Sequence, residues 1–368
     1  MSCAPPFAHS FGSPGAKIVL IGEAWGKSEE QFKKPFLGAS GRELSRMLFQ
    51  AGVVNIAPRA WMGELDMINW WQASGLFVTN VFALRPPDNK IEELCVGKKL
   101  VGNDYPFPPL RQGKYIRPEF LPEVERLKTE LKLVGANLVV PLGATATWAT
   151  CHATNIGAIR GTVRPAVILP PTKCLPTYHP AAILRNWTQR VVMVADLMKA
   201  AREAQFPEIR RPSRIVVYDP TLVEALDWIE GVLKDPPPYL ACDIETASGL
   251  ITHIGFAKAR DSALSIPFVD FTKEANSYWP AKDEIIIREA IQRLLASPIS
   301  KVFQNGLYDM QYLWRDGFTL AAVNEDTMLL HHALYPELQK GLGFMGSVYT
   351  DEASWKLMRH QETNKKDE

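Results

Sequence analysis

The sequence predicts an α/β protein of two consecutive domains, the first built on a parallel sheet covered on both faces and the second on a mixed sheet. Three observations predict it. The first 205 residues alternate short apolar runs with helical patterns, as strands joined by crossover helices do. At 206–214 the stretch FPEIRRPSR breaks that alternation with prolines and arginines. Beyond it, three strand-like runs come in succession and helical patterns follow only afterwards. A chain of 368 residues is long enough for two separate cores, so residues 1–207 are expected to form one domain and 208–368 the other.

In the first domain KIVLI (17–21), LFVTNVF (76–82), NLVVPLG (137–143) and AVILP (166–170) read as buried strands. After Ser40, the residues Leu44, Met47, Leu48 and Ala51 recur at helical spacing, with Ser40 and Glu43 as a capping box and Gly52 as the stop. Val124, Leu127, Leu131 and Val134 mark a second helix, and TQRVVMVADLMKAAREAQ a long third pattern. Segments 53–75 and 86–120 carry little periodicity and many Pro, Trp and Gly residues, which predicts surface insertions. In the second domain RIVVY, a helix and the turn DPPP precede YLACDIE, ITHIGFAKA and ALSIPFV, with helices expected at 281–297 and 306–315. Ligands of such sheets gather at the carboxyl ends of strands, so the segments just after strands are where chemistry is expected.

Composition narrows the class. Hydrophobic content of 46% and charged content of 22% suit a soluble globular protein, and no apolar run approaches the roughly 20 residues that span a bilayer. No membrane association is expected. The opening MSCAPPFAHSFGSPG lacks the basic start and apolar core of a signal peptide, so a cytoplasmic site is expected, the host cytoplasm if the protein is phage-encoded. Five cysteines without CxxC spacing argue for reduced thiols rather than a disulfide framework or zinc ribbon. A net charge of +1 leaves no global footprint for nucleic acid, although a carboxylate-rich metal site can mask local basic surface in that sum.

Four motifs follow strands in order: GEAWGKSEEQFKKPFLG (22–38), TNVFALRPPDN (79–89), PLGATAT (141–147) and PTYHPAAILR (176–185). In this order they resemble those of the family-four uracil-DNA glycosylases, and the resemblance spans nearly the whole first domain. It implies a three-layer uracil-DNA glycosylase-like fold, an N-glycosidic hydrolase activity on uracil or a related base in DNA, and DNA, single- or double-stranded, as partner. By position, Phe36 would stack on a flipped base, Asn80 would read its Watson–Crick edge, and His179 would face the base oxygen on which charge develops. Glu23 and Glu29 are the candidates for stabilising the sugar or positioning water, Glu29 also for shaping the pocket. Ala182, Ile183 and Leu184 would form a wedge and Arg185 would hold a phosphate. Gly143 to Thr145 would offer backbone N–H groups to another phosphate. The chain departs from the family at Trp25, where proline is usual, and at Leu84, where KCRPP has its cysteine. The family's N-terminal cysteine pair is also missing, so no iron–sulfur cluster is expected.

In the second domain CDIET (242–246) sets Asp243 and Glu245 two apart on a strand, hence on one face. NGLYD (305–309) adds Asp309. With EDTMLLHHALYPELQKGL (325–342), this resembles the 3′–5′ exonuclease domain of family A DNA polymerases, especially phage-type ones. That resemblance implies a ribonuclease H-like α/β fold with Mg²⁺ or Mn²⁺ held by Asp243, Glu245, Asp309 and a last acid. Thr363 and Asp367 stand where the family has its closing YxxxD helix, a poor match that leaves this domain truncated, inactive or completed elsewhere. The joint expectation is a glycosylase linked to an exonuclease-like domain in phage-type replication and repair, with a DNA polymerase or other replication proteins as further partners. The alternative expectation is a nucleic-acid-binding module with reduced chemistry, the front end of a split polymerase.

Overall fold

The computed structural model describes residues 7–12, 14–273, 276–321 and 324–352. Residues up to Ile209, with the segment from Gly343, make one compact unit; Arg210–Leu342 make another.

The first unit runs β1 (Ile18–Ala24), α1 (Lys27–Phe32), α2 (Ala39–Gln50), α3 (Glu64–Ala73), β2 (Phe77–Phe82), β3 (Cys95–Val96), β4 (Tyr115–Ile116), α4 (Leu121–Val134), β5 (Leu138–Pro141) and α5 (Gly143–Cys151). It continues through α6 (Ile156–Ile159), β6 (Arg164–Pro165), β7 (Lys173–Cys174), α7 (Pro180–Arg185) and α8 (Arg190–Glu203). The sheet has the order β2-β1-β5-β7-β6, parallel except for β6 at its edge. Its strands alternate between two cores. Ile18 and Leu20 face the side that packs α2, α3 and α8, whereas Val19 and Ile21 face α4 and α5. This period-two alternation between two apolar layers makes the three-layer architecture, and it explains why the strands read as unbroken apolar runs.

Three sequence expectations are corrected here. AVILP is a turn, not a strand: Ala166 donates its N–H to Thr172 O at 2.7 Å, and Ala166 and Ile168 bury their side chains from that loop, between the short strands β6 and β7. Ser40 does not cap α2. The helix begins after Gly38, whose N–H is already taken by Glu29, and Glu43 instead accepts from Arg46 (3.2 Å) and Arg190 (2.7 Å). Segment 53–75 is not surface decoration either, because α3 carries Met67, Trp70 and Trp71 into the core.

The second unit runs β8 (Ile215–Val217), α9 (Leu222–Lys234), β9 (Tyr239–Ala247), β10 (Leu250–Ala259), β11 (Ser262–Pro267), α10 (Ala281–Leu295), β12 (Ser300–Phe303), α11 (Leu307–Arg315), β13 (Asn324–Asp326) and α12 (Thr327–Leu334). Its sheet has the order β13-β12-β9-β10-β11-β8. The three central strands are antiparallel and the flanking ones parallel, a ribonuclease H-like mixed sheet. Leu240, Cys242 and Ile244 of β9 point into a core with α9 and α10, while Ala241, Asp243 and Glu245 point out of the other face.

The segment that follows, α13 (Leu342–Tyr349), belongs to the first unit from Gly343 onward. Its Ser347 hydroxyl accepts from the Arg160 guanidinium at 2.9 Å, and its carbonyl accepts from Lys199. Arg160 also donates to Asp196 at 2.8 Å, and Thr177 Oγ1 donates to the same carboxylate at 2.6 Å. Burial, with Asp196 opposing it and Arg160 adding to it, lowers the Lys199 ammonium to about 8.

Candidate active site

The carboxyl ends of β1, β2 and β5 open into a cavity of about 550 Å³ in the first unit. A close approach of backbone builds it. Gly22 in β1 pairs with Asn80 in β2, and a methyl group at Gly22 would strike the Asn80 amide oxygen and come within 2.6 Å of the Phe36 ring. Glycine there lets the aromatic ring and the amide converge on one spot.

Phe36 sits at φ 54°, a left-handed conformation that is strained for a bulky residue. Its surroundings impose it. Glu29 Oε1 accepts the N–H groups of Leu37 and Gly38, both at 2.9 Å, and Trp71 Nε1 donates to the Phe36 carbonyl at 3.0 Å. Glu29 lines the cavity, but this oxygen serves the backbone of the Phe36 loop. The Phe36 ring stacks beside the His179 imidazole with centroids 5.9 Å apart. The Asn80 amide makes no hydrogen bond to any described residue and lines the cavity, while its backbone carbonyl is held by Arg126 at 2.8 Å.

His179 ends the loop before α7. Its Nδ1 accepts the Ala181 N–H at 3.1 Å, so the neutral ring carries its proton on Nε2. Close enclosure, reinforced by the Arg185 charge, lowers its pKa to about 4, which leaves a neutral donor at physiological pH. Glu23, at the end of β1, accepts from the Thr145 hydroxyl and has Arg111 Nη2 4.0 Å from Oε2.

The geometry corrects three of the DNA-contact expectations. Ile183 is fully buried in the core and cannot enter a base stack; Leu184, 46% exposed, remains on the surface of the same short helix beside Arg185. Thr145 is 1% exposed, which keeps its N–H from a phosphate, and its hydroxyl donates to Glu23. Gly143, at φ 83°, gives its N–H to Thr177 O at 2.8 Å, so that donor is taken. A methyl group on Gly143 would lie 2.8 Å from His179 Cβ, so its role is close packing under the histidine. Sequence reasoning missed Gly41, Trp71 and Arg111. Arg111 stands in a stretch without periodicity, and Gly41 shows its purpose only through the Phe36 carbonyl it abuts.

Trp25 is buried, lines the cavity and donates its backbone N–H to Leu84 O at 3.0 Å. Leu84 packs against the core where the resemblance expects a cysteine. Among the described residues no set of four thiolates suited to an iron–sulfur cluster comes together. Cys151 and Cys174 lie 3.1 Å apart within the core, Cys95 is buried elsewhere with its thiol pushed up to about 11 by burial, and Cys242 is in the second unit. Cys3 lies outside the described residues.

In the second unit Asp243 and Glu245 share the outward face of β9, but Asp309 turns inward from α11 and accepts the Ile244 N–H at 3.0 Å. Burial, with the Asp243 charge adding to it, raises its carboxyl to about 6. Among the described residues no three His, Cys, Asp or Glu side chains close into a cation cage, and Asp367 lies outside the described residues. Also among them, no helix is long and apolar enough to cross a membrane.

Comparison with known proteins follows the same division. The uracil DNA glycosylase superfamily description matches residues 9–204. The type-4 uracil-DNA glycosylase of Thermotoga maritima is 24% identical over 193 residues, covering 51% of this chain and 78% of that protein. The one from Saccharolobus solfataricus is 28% identical over 193 residues, covering 51% and 71%. Similar solved structures include Escherichia coli RNase D, an exoribonuclease, at TM-score 0.28 and 15% identity over 42% of this chain and 37% of that one. The EXD2 exonuclease domain soaked in Mn and GMP scores 0.25 at 17% identity over 36% and 68%. Scores at this level carry no argument about chemistry.

Proposed function

The chain belongs to the uracil DNA glycosylase superfamily, and from that premise we propose that its first unit excises uracil, or a closely related base, from DNA. A base cannot be attacked within the stack, so the nucleotide must be extruded into the cavity. There Phe36 would receive its face, the uncommitted Asn80 amide its Watson–Crick edge, and Leu184 and Arg185 the vacated stack and a flanking phosphate. Cleavage of the N-glycosidic bond leaves an anionic base and an oxocarbenium-like sugar. His179 supplies a preorganised Nε2–H to the developing oxyanion, and Glu23, steadied by Thr145, supplies negative charge toward the sugar or orients water. One observation carries the reading: the Ala181 N–H on Nδ1 fixes the tautomer that makes His179 a donor into the cavity. The test is incubation with oligonucleotides carrying single modified bases, then alkaline cleavage at abasic sites. Strand breaks at uracil with the wild type support the proposal; their absence for every base refutes it.

For the second unit the reading is a 3′–5′ exonuclease-like module that binds nucleic acid and takes Mg²⁺ or Mn²⁺ weakly. Asp243 and Glu245 supply two oxygen ligands on one face, while Asp309 is committed to Ile244 until it turns. A phage-type replication setting, with a DNA polymerase as partner, is the context in which both units serve one strand.

A further inference from the structure

We propose that Arg111, on the hairpin inside segment 86–120, is a second phosphate-binding guanidinium of the base-release site, acting on the strand that carries the extruded nucleotide. The proposal rests on the base-release reading and adds a contact outside the four motifs. Arg111 is held by a tight turn: Gln112 and Gly113 have φ 47° and 74°, and Arg111 and Lys114 exchange backbone hydrogen bonds, one at 2.7 Å. Two successive positive φ values are those of a type I′ turn, whose twist suits a hairpin. The preceding Leu110 is buried in the core, so the root of the arginine is fixed.

Its guanidinium lines the same cavity as Asn80, His179 and Arg185. It lies near Glu92 at 3.7 Å and Glu23 at 4.0 Å, and makes no hydrogen bond with any described residue. Nε is shielded from solvent, but the side chain as a whole is 40% exposed, which leaves the terminal nitrogens accessible. A guanidinium has five donors in a planar fork that matches phosphate. Two carboxylates hold the charge in place at a distance that satisfies none of those donors. The Arg185 side chain lines the cavity likewise and makes no hydrogen bond with any described residue. Two such arginines on one cavity are what a nucleotide flanked by two phosphates requires, and the alternative of a purely structural Arg111 leaves its fork unused.

The experiment measures uracil release by the full chain from a single-stranded oligonucleotide across a salt series, for wild type, Arg111→Gln and Arg111→Lys. Arg111→Gln is expected to raise the half-saturating DNA concentration about two- to fivefold, the size of one partly exposed ionic contact. The slope of log(kcat/KM) against log[salt] should become shallower by about 0.7, one released counterion on single strands. Arg111→Lys should keep the slope and lose part of the affinity. An unchanged slope in Arg111→Gln overturns the proposal, as does a fall in the saturating rate alone, which would make Arg111 a positioning residue for Glu23. A wild type that releases no uracil refutes the base-release reading itself, and fluorescence anisotropy of the same oligonucleotide still reads the slope in that case.

Discussion

Glycine to alanine in the first turn of a helix normally stabilises, by about 1 kcal/mol. Gly41 in α2 should do the opposite. A methyl group built there overlaps the Phe36 carbonyl oxygen and stands 3.0 Å from Phe36 Cα. That oxygen also accepts the Trp71 indole N–H, and Phe36 is already at φ 54°, so the loop has little room to withdraw. Overpacking of this kind costs about 1–3 kcal/mol, and a disturbed hydrogen bond to Trp71 about 1 kcal/mol more. Set against the helix gain, the net loss is about 1–3 kcal/mol, or roughly 2–12 °C of melting temperature for a unit of this size. Scanning calorimetry of Gly41→Ala reads the first unit's transition, and uracil release at 25 °C reads the displacement of the Phe36 ring. Release should fall well before the fold is lost. A variant that melts higher than wild type and releases uracil normally would refute the account of how Phe36 is held.

The other predictions concern His179, Glu29 and the carboxylates. His179→Ala should lose about 2.7–4 kcal/mol of transition-state stabilisation in single-turnover release, the range for one oxyanion donor; wild-type rates would remove it from the mechanism. Because its folded pKa of about 4 lies below the ordinary 6.5, the unfolded chain binds the extra proton first. Its contribution to stability is therefore full above pH 6.5 and falls toward pH 4, a slope that pH-dependent melting should find reduced in His179→Ala. The release rate should stay flat from neutrality downward and drop only near pH 4. Glu29→Ala strips the acceptor from two backbone N–H groups and should cost about 2–4 kcal/mol, with Glu29→Gln recovering part; equal stability of all three would leave Glu29 without a structural role. Millimolar Mn²⁺ should raise the melting of the second unit slightly in wild type and not in Asp243→Ala; digestion of 3′ ends that survives the substitution would point to a contaminating nuclease.

The site was more legible in the sequence than the fold around it. Motifs after strands located Phe36, Asn80 and His179 on one cavity because parallel sheets send ligands to strand ends, which depends on topology alone. Which apolar residue of α7 faces outward was not legible: in a helix of six residues, Ala182, Ile183 and Leu184 differ only by rotation, and the packing against α2 decides. Ser40 failed as a cap because the chain is already helical from Ala39, with Gly38 as the capping residue and its N–H held by Glu29 eleven positions before Ser40, so Ser40 lies inside the first turn. AVILP failed as a strand because apolar content reports burial and not extension, and a turn can bury Ile168 as well.

The place of α13 changes what counts as the first unit. A polypeptide ending at Ile209 would lack Ser347, and Arg160 and Lys199 would be left as two enclosed cations sharing one carboxylate. That cluster reaches Thr177, two residues before His179. The repair domain is therefore discontinuous in sequence, with the other unit inserted into it. During synthesis, when amino-terminal units ordinarily fold first, its closing piece emerges only after the insert, so the Arg160–Asp196–Lys199 cluster gains its last partner at the end.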